Sequence, residues 1–307
     1  MKRMRCGGRE GRGGSWSPGW FLPAVLLGAG CVGGGDAPPP PADGASGVPS
    51  VASAAAPGEA PGSPSASTLA EAFVAEEAVG TLLIRRLGDG REWVHDPVRA
   101  DTPLLPASTF KIANAAIAVE TGVVTGADEL FPWDGQPRDL EAWNRDLTLG
   151  EAMAASAVPV YQEVARRIGA ERMAEWLRRL DYGNADTGGG LERFWLDGAL
   201  RISAREQVDF LERLVNGGLP LSQRTLDELT AMLRLDGGEG WTVHGKTGWA
   251  SAVDLGWWVG WTVQGEERYV FALNMDMSRM EDAPKRISIA RRALVEVGAL
   301  PREAGED

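Results

Sequence analysis

Ser108 and Lys111 stand three positions apart in Pro106-Ala-Ser-Thr-Phe-Lys111, at the head of the helical run Ile112-Ala-Asn-Ala-Ala-Ile-Ala-Val-Glu120. Side chains three apart on a helix share a face, so this hydroxyl and amine can point into one cavity. A serine hydroxyl is a poor nucleophile until a base lies within hydrogen-bond reach. A lysine is that base only when its amine is neutral, which burial in an apolar pocket favours by lowering its pKa. The pair can therefore be a serine set up for nucleophilic attack, although alone it is equally an ordinary helix start, and further motifs have to decide between the two. Proline ahead of the run suits a helix start, and Thr121-Gly122 suits its end.

Two further motifs extend the chemistry. Ser156-Ala-Val158, within Ala154-Ala-Ser-Ala-Val-Pro-Val-Tyr-Gln-Glu163, supplies a second hydroxyl, although alone it is an ordinary helix-end serine. Lys246-Thr-Gly248 closes a predicted strand and is followed by Trp249-Ala-Ser251. A glycine among small residues at a strand edge lets a substrate lie alongside. The lysine and threonine can then meet a substrate carboxylate.

The rest of the composition narrows the competing chemistries, leaving a Ser-His-Asp triad possible only through His95 or His244. Both cysteines, Cys6 and Cys31, lie near the start of the chain, so the body has no disulfide, thiol nucleophile or cysteine-bound metal. The two histidines, His95 and His244, are too few for a zinc site built on several imidazoles. His244 falls two residues before Lys246, hence on the same strand face, where an imidazole could titrate beside the cleft. The formal net charge is −12, and residues 1–67 hold five Lys/Arg against four Asp/Glu, so the body carries the negative excess. That argues against nucleic acid as a partner, because phosphate binding needs a basic face.

Elements that must position these residues follow from pattern. Thr81-Leu-Leu-Ile-Arg-Arg-Leu87 and Glu92-Trp-Val-His95 predict a hairpin across Gly88-Asp-Gly90. Residues 139–215 read as mainly helical, and strands resume at Trp241–Lys246, Gly256–Trp261 and Tyr269–Asn274. The stretch between residues 215 and 241 reads as compact loops. A last amphipathic helix spans about 284–297, with Ile287, Ala290, Leu294 and Val297 on one face. Strands at both ends with helices between them predict an α/β domain: an antiparallel sheet flanked by helices, with an inserted all-helical lobe. A ligand cleft is expected between the lobes. Ahead of this domain, placed at 68–303, residues 1–31 read as a signal peptide, with a basic start and the apolar run Trp20–Gly30 ending at Cys31. Leu26-Leu-Gly-Ala-Gly-Cys31 suggests a lipoprotein cleavage box, although Gly28 stands where a bulky aliphatic is usual. Residues 32–67, almost wholly Ala, Pro, Gly and Ser, predict a disordered tether.

Taken together and in this order, the motifs resemble those of the class D (oxacillinase-type) serine β-lactamases. Alongside the three motifs, Tyr182-Gly-Asn184, Phe194-Trp-Leu-Asp-Gly198 with Leu200-Arg-Ile-Ser203, and Trp257-Trp-Val-Gly-Trp261 are similar to family markers. The resemblance runs from about residue 80 to 298. It implies the β-lactamase/transpeptidase-like fold and hydrolysis of β-lactam antibiotics, with Ser108 attacking the carbonyl to form an acyl-enzyme. It implies that Lys111 carries carbon dioxide as a carbamate and acts as general base, steadied by the indole N–H of Trp195. Phe110 and Val158 would make the surroundings apolar. Ser156 and Lys246 would pass a proton toward the lactam nitrogen. Thr247 and Arg286 would bind the substrate carboxylate, and the backbone N–H groups of Ser108 and Trp249, beside Gly248, would form the oxyanion hole. No metal or other cofactor is implied. The partner is a small-molecule β-lactam, the leader predicts export to the periplasm either with a lipid anchor at Cys31 or as a plainly secreted form, and the sequence says nothing of oligomeric state. A β-lactam-binding sensor or penicillin-binding protein, which acylates without efficient turnover, would share much of the same motif set.

Overall fold

The computed structural model describes residues 66–302, so the leader, Cys31 and nearly all of the tether lie outside the described residues. Helix α1 (Ala66–Ala75) leads into strand β1 (Gly80–Arg86), strand β2 (Glu92–His95) and the short helix α2 (Pro97–Ala100). A 3₁₀ turn over Ala107–Phe110 opens into α3 (Lys111–Glu120). A two-stranded ribbon, β3 (Leu130–Phe131) with β4 (Leu147–Thr148), precedes α4 (Leu149–Ala154), α5 (Val158–Ile168) and α6 (Ala170–Arg179). Residues 180–203 form turns, and α7 (Ala204–Val215) and α8 (Gln223–Leu233) follow. The chain then returns to the sheet through β5 (Arg234–Gly238), β6 (Trp241–Ala250), β7 (Leu255–Gln264) and β8 (Glu267–Asp276), and ends in α9 (Ala283–Glu296).

The main sheet has six strands in the order β2-β1-β8-β7-β6-β5, every pair antiparallel. Alternation along the strands divides its side chains between two cores. Trp257, Val259 and Trp261 of β7, with Val270 and Ala272 of β8, pack toward the helical lobe built around α3. Trp258, Phe271 and Leu273 face the other way, against Leu69 and Phe73 of α1 and Ile289, Ala290 and Leu294 of α9. The expected α/β architecture with an antiparallel sheet and an inserted helical lobe is the one observed.

The predicted hairpin, the three later strands and the final helix are all present. Three details depart from expectation. Ser108 lies in the 3₁₀ turn rather than in the helix proper, and Lys111 is the first residue of α3. At three residues per turn, positions i and i+3 eclipse, which brings the two side chains closer than an α-helix would. Residues 139–148 and 180–203 are largely non-helical. Finally, the stretch read as loops holds α8, capped by the Ser222 hydroxyl, and the edge strand β5. Arg234-Leu-Asp-Gly-Gly238 has no β-branched residue, and its strand conformation comes from pairing with β6.

Candidate active site

The nucleophile turn sits where the helical lobe meets the sheet. Leu104 exchanges two backbone hydrogen bonds with Ile202 (3.0 and 2.9 Å), and the Leu105 carbonyl accepts the indole N–H of Trp257 at 2.8 Å. Beyond this anchor Ala107 takes a left-handed conformation, φ +48°. For a residue with a Cβ this costs roughly 1–2 kcal/mol, and such strain concentrates where a side chain must be presented in one direction. The side chain presented is Ser108, whose Oγ lies 2.7 Å from Lys111 Nζ.

Lys111 is fully buried. Desolvation, with the positive charge of Lys246 second, drives its amine well below the usual lysine pKa. A neutral amine at hydrogen-bond distance can accept the Ser108 proton. The Tyr161 ring of α5 approaches to 5.4 Å from Nζ to the ring centre. Phe110 seals the site from below: its ring lies 5.2 Å from that of Trp195 and 5.0 Å from that of Phe194. Trp195 is wholly buried, and its Nε1–H has no hydrogen-bond partner. An indole N–H can only donate, so this orphan donor marks a place for an acceptor.

Ser156 is half-buried on the turn between α4 and α5, and it too is left-handed, φ +54°. Trp143 braces that turn through a 2.9 Å bond from its indole N–H to the Ala155 carbonyl. Val158 begins α5, which is held against α3 by the bond from Asn114 Nδ2 to the Tyr161 carbonyl (3.1 Å).

Strand β6 supplies the opposite wall. A Cβ on Gly248 would meet the Pro106 carbonyl at 3.1 Å and Thr109 Cγ2 at 3.2 Å, so glycine lets the strand lie this close to the nucleophile turn without the turn giving way by a few tenths of an ångström. Lys246 is buried, and its Nζ donates to the Thr247 carbonyl at 3.1 Å. Desolvation and the neighbouring Arg286 lower its pKa to about 7. Arg286 is the buried arginine of α9, and its guanidinium donates to the Gly248 carbonyl at 2.6 Å. Burial lowers its pKa to about 10, which leaves it charged. Its neighbour Lys285 points away and pairs with Asp282 at 3.2 Å. Thr247 is half-buried on the same strand. Trp249 is also half-buried, and its indole N–H is tied to the Met277 carbonyl at 3.0 Å. His244 does share a face with Lys246, where it stacks on Trp261 with 4.7 Å between ring centres. Desolvation, then Arg234, lowers its pKa to about 4. It is neutral over the working range and adds no charge beside Lys246.

The Tyr182-Gly-Asn184 turn explains how the Trp195 segment is held. Asn184 Nδ2 donates to the Ala199 carbonyl (3.0 Å), and its Oδ1 accepts from the Arg201 N–H (2.9 Å). Gly183, φ +53°, lies so close to the Arg201 carbonyl that a Cβ would come within 2.1 Å of it. Gln162 adds a bond from α5 to the Glu192 carbonyl (3.2 Å). Sequence reasoning missed Trp143, Tyr161, Thr109 and Gln207. Thr109 and Tyr161 lie inside motifs read above but carried no role of their own, and neither type nor spacing singled out Trp143 or Gln207.

A serine beside a buried lysine on the helical lobe thus faces a Lys-Thr-Gly strand of the sheet, the arrangement shared by the transpeptidase-like fold. In agreement, the family described as penicillin binding protein transpeptidase domain matches residues 95–294. Within that fold the chain belongs to the class D β-lactamases. It is 39% identical to β-lactamase OXA-5 of Pseudomonas aeruginosa over 233 residues, covering 74% of this chain and 87% of that one. It is 38% identical to β-lactamase OXA-48 of Klebsiella pneumoniae, covering 75% and 87%. The crystal structure of the class D β-lactamase FUS-1 (OXA-85) of Fusobacterium nucleatum superposes with a TM-score of 0.75 at 35% identity, covering 77% of this chain and all of that one.

Proposed function

We propose that this chain hydrolyses β-lactam antibiotics through an acyl-enzyme on Ser108. The observation that carries the reading is the 2.7 Å approach of Ser108 Oγ to the amine of a wholly buried lysine. In acylation Ser108 Oγ bonds to the lactam carbonyl carbon and gives its proton to the base at Lys111. The C–N bond of the ring then breaks, and its nitrogen takes a proton delivered through Ser156 and Lys246. The backbone N–H groups of Ser108 and Trp249 hold the oxyanion. Thr247 and Arg286 hold the substrate carboxylate beside Gly248, and Val158 closes the apolar side. In deacylation water attacks the ester carbonyl, loses a proton to the base, and Ser108 leaves with that proton.

The residues around Lys111 fit a carbamate formed with carbon dioxide. The pocket favours the neutral amine that can add carbon dioxide, and the unpartnered Trp195 Nε1–H is a buried donor suited to the anion. When formed, the carbamate supplies an oxygen able to accept a proton in both half-reactions. Phe110 and Trp195 keep water from competing for that position.

The test is a chromogenic cephalosporin and a penicillin, each assayed with and without bicarbonate. Sustained turnover is expected, falling in acidic, carbon-dioxide-depleted buffer and returning with bicarbonate. The sign follows from the lysine: acid protonates the amine, and a protonated amine cannot add carbon dioxide. A single stoichiometric burst would instead assign the chain to the acylating sensors or penicillin-binding proteins.

The reading extends to location. The basic start, the apolar run Trp20–Gly30 and Cys31 support export to the periplasm with a lipid anchor, and residues 32–67 would serve as the tether of the catalytic domain. Full-length protein is expected in the membrane fraction, and Cys31→Ala is expected to release it. Equal partition of the two forms would rule the anchor out.

A further inference from the structure

Behind the nucleophile turn lies a small polar cluster that the chemistry above does not use. Gln207 of α7, fully buried, sends its Nε2 to Thr109 Oγ1 at 2.9 Å and to Tyr182 Oη at 3.4 Å. Thr109 Oγ1 in turn donates to the Pro106 carbonyl at 2.7 Å, and the Thr109 N–H reaches the same carbonyl at 3.2 Å.

The direction of these bonds matters. An amide nitrogen can only donate, so the Thr109 hydroxyl must accept from Gln207 and has one proton left to give. In this arrangement the proton lies toward the Pro106 carbonyl, and the Tyr182 hydroxyl is the other hydrogen-bond neighbour of Thr109 Oγ1. The Pro106 carbonyl is also the group against which Gly248 of the Lys-Thr-Gly strand is pressed. The next residue is Ala107, whose left-handed backbone persists only where its surroundings over-determine it. Gln207 meanwhile leaves its own Oε1 buried without a partner. A buried amide that gives up one of its bonds is poor material for stability alone.

We propose that Gln207 is a positioning residue for acylation: its amide fixes the Thr109 hydroxyl on the Pro106 carbonyl and so holds the turn that aims Ser108 between Lys111 and the Lys-Thr-Gly strand. It touches neither substrate nor the reacting atoms. The proposal rests on Ser108 being the residue acylated.

The test compares Gln207→Met, Thr109→Val and the double variant with the parent in a rapid-mixing assay that reads the acylation rate per folded, titrated site. Gln207→Met keeps the length and loses the donors, whereas Thr109→Val keeps the branched shape and loses the hydroxyl. Each single variant is expected to acylate at least about tenfold more slowly, because misplacing a reacting atom by a fraction of an ångström carries penalties of that order. The double variant is expected to be no slower than the slower single, since both break one chain of bonds. The bicarbonate dependence should stay that of the parent. Parental acylation rates in the folded variants, or losses that multiply in the double, would overturn the proposal. A parent that is not acylated would overturn it together with the functional reading, which separates the two failures. If Gln207→Met does not fold, Gln207→Glu decides. Its protonated carboxyl can still donate and its carboxylate cannot, so its rate relative to the parent should fall as pH rises, and a constant ratio would count against the role.

Discussion

Lys111→Ala is expected to abolish turnover, lowering steady-state hydrolysis by about 10²–10⁴-fold, the range that a positioned base contributes. The substitution removes the only basic atom, among the described residues, that hydrogen-bonds Ser108 Oγ, and leaves a cavity beside Tyr161. Lys246 is the nearest replacement in character, with a pKa of about 7, but its Nζ is engaged by the Thr247 carbonyl. The check is twofold: a chromogenic steady-state assay, and mass spectrometry of the protein after mixing with a penicillin. Slow, persistent acylation of Ser108 without release is the expected pattern. A variant that turns over at the parental rate would remove Lys111 from the base role.

Trp195→Phe is expected to separate the two half-reactions. The ring is kept and packing on Phe110 and Phe194 changes little, but the donor is lost. A hydrogen bond to a buried anion contributes about 1.5–3 kcal/mol, which corresponds to roughly 10- to 100-fold in an equilibrium. The bicarbonate concentration that restores half-maximal activity should therefore rise by about that factor. Acylation should be reduced less than deacylation. Bicarbonate titrations of parent and variant, followed through both burst and steady state, read the difference. Superimposable titrations would show that Nε1–H does not serve the anion.

How much of this was written in the sequence varies by residue. Ser108, Lys111 and Lys246 were legible because spacing maps onto geometry when the positions are local: three along a helical turn, or neighbours along one strand, although β6 runs on to Ala250 rather than ending at Lys246. Arg286 over Lys285 was legible only through family resemblance. The structure gives the physical reason, since Arg286 reaches the Gly248 carbonyl whereas Lys285 is spent on Asp282. Gln207, Tyr161 and Trp143 were not legible, because each acts through a contact distant along the chain, and one sequence carries no record of such contacts. The same holds for β5, whose conformation is imposed by β6, and for the 3₁₀ turn, whose departure from the helix is set by the Pro106–Thr109 bonds. His244 shows the opposite case. Its strand face was read correctly, yet burial against Trp261 removes the titration that its position suggested.

The pairing of β1 with β8, which sets Gly80 opposite Met275, also constrains how the molecule comes into being. That seam joins the first strand of the domain to the last, so it cannot close until almost the whole catalytic domain is available. Contacts this distant in sequence make for slow, late assembly. The nucleophile turn leans on β6 and β7, and Arg286 lies beyond both. A partly synthesised chain therefore holds the serine but no site.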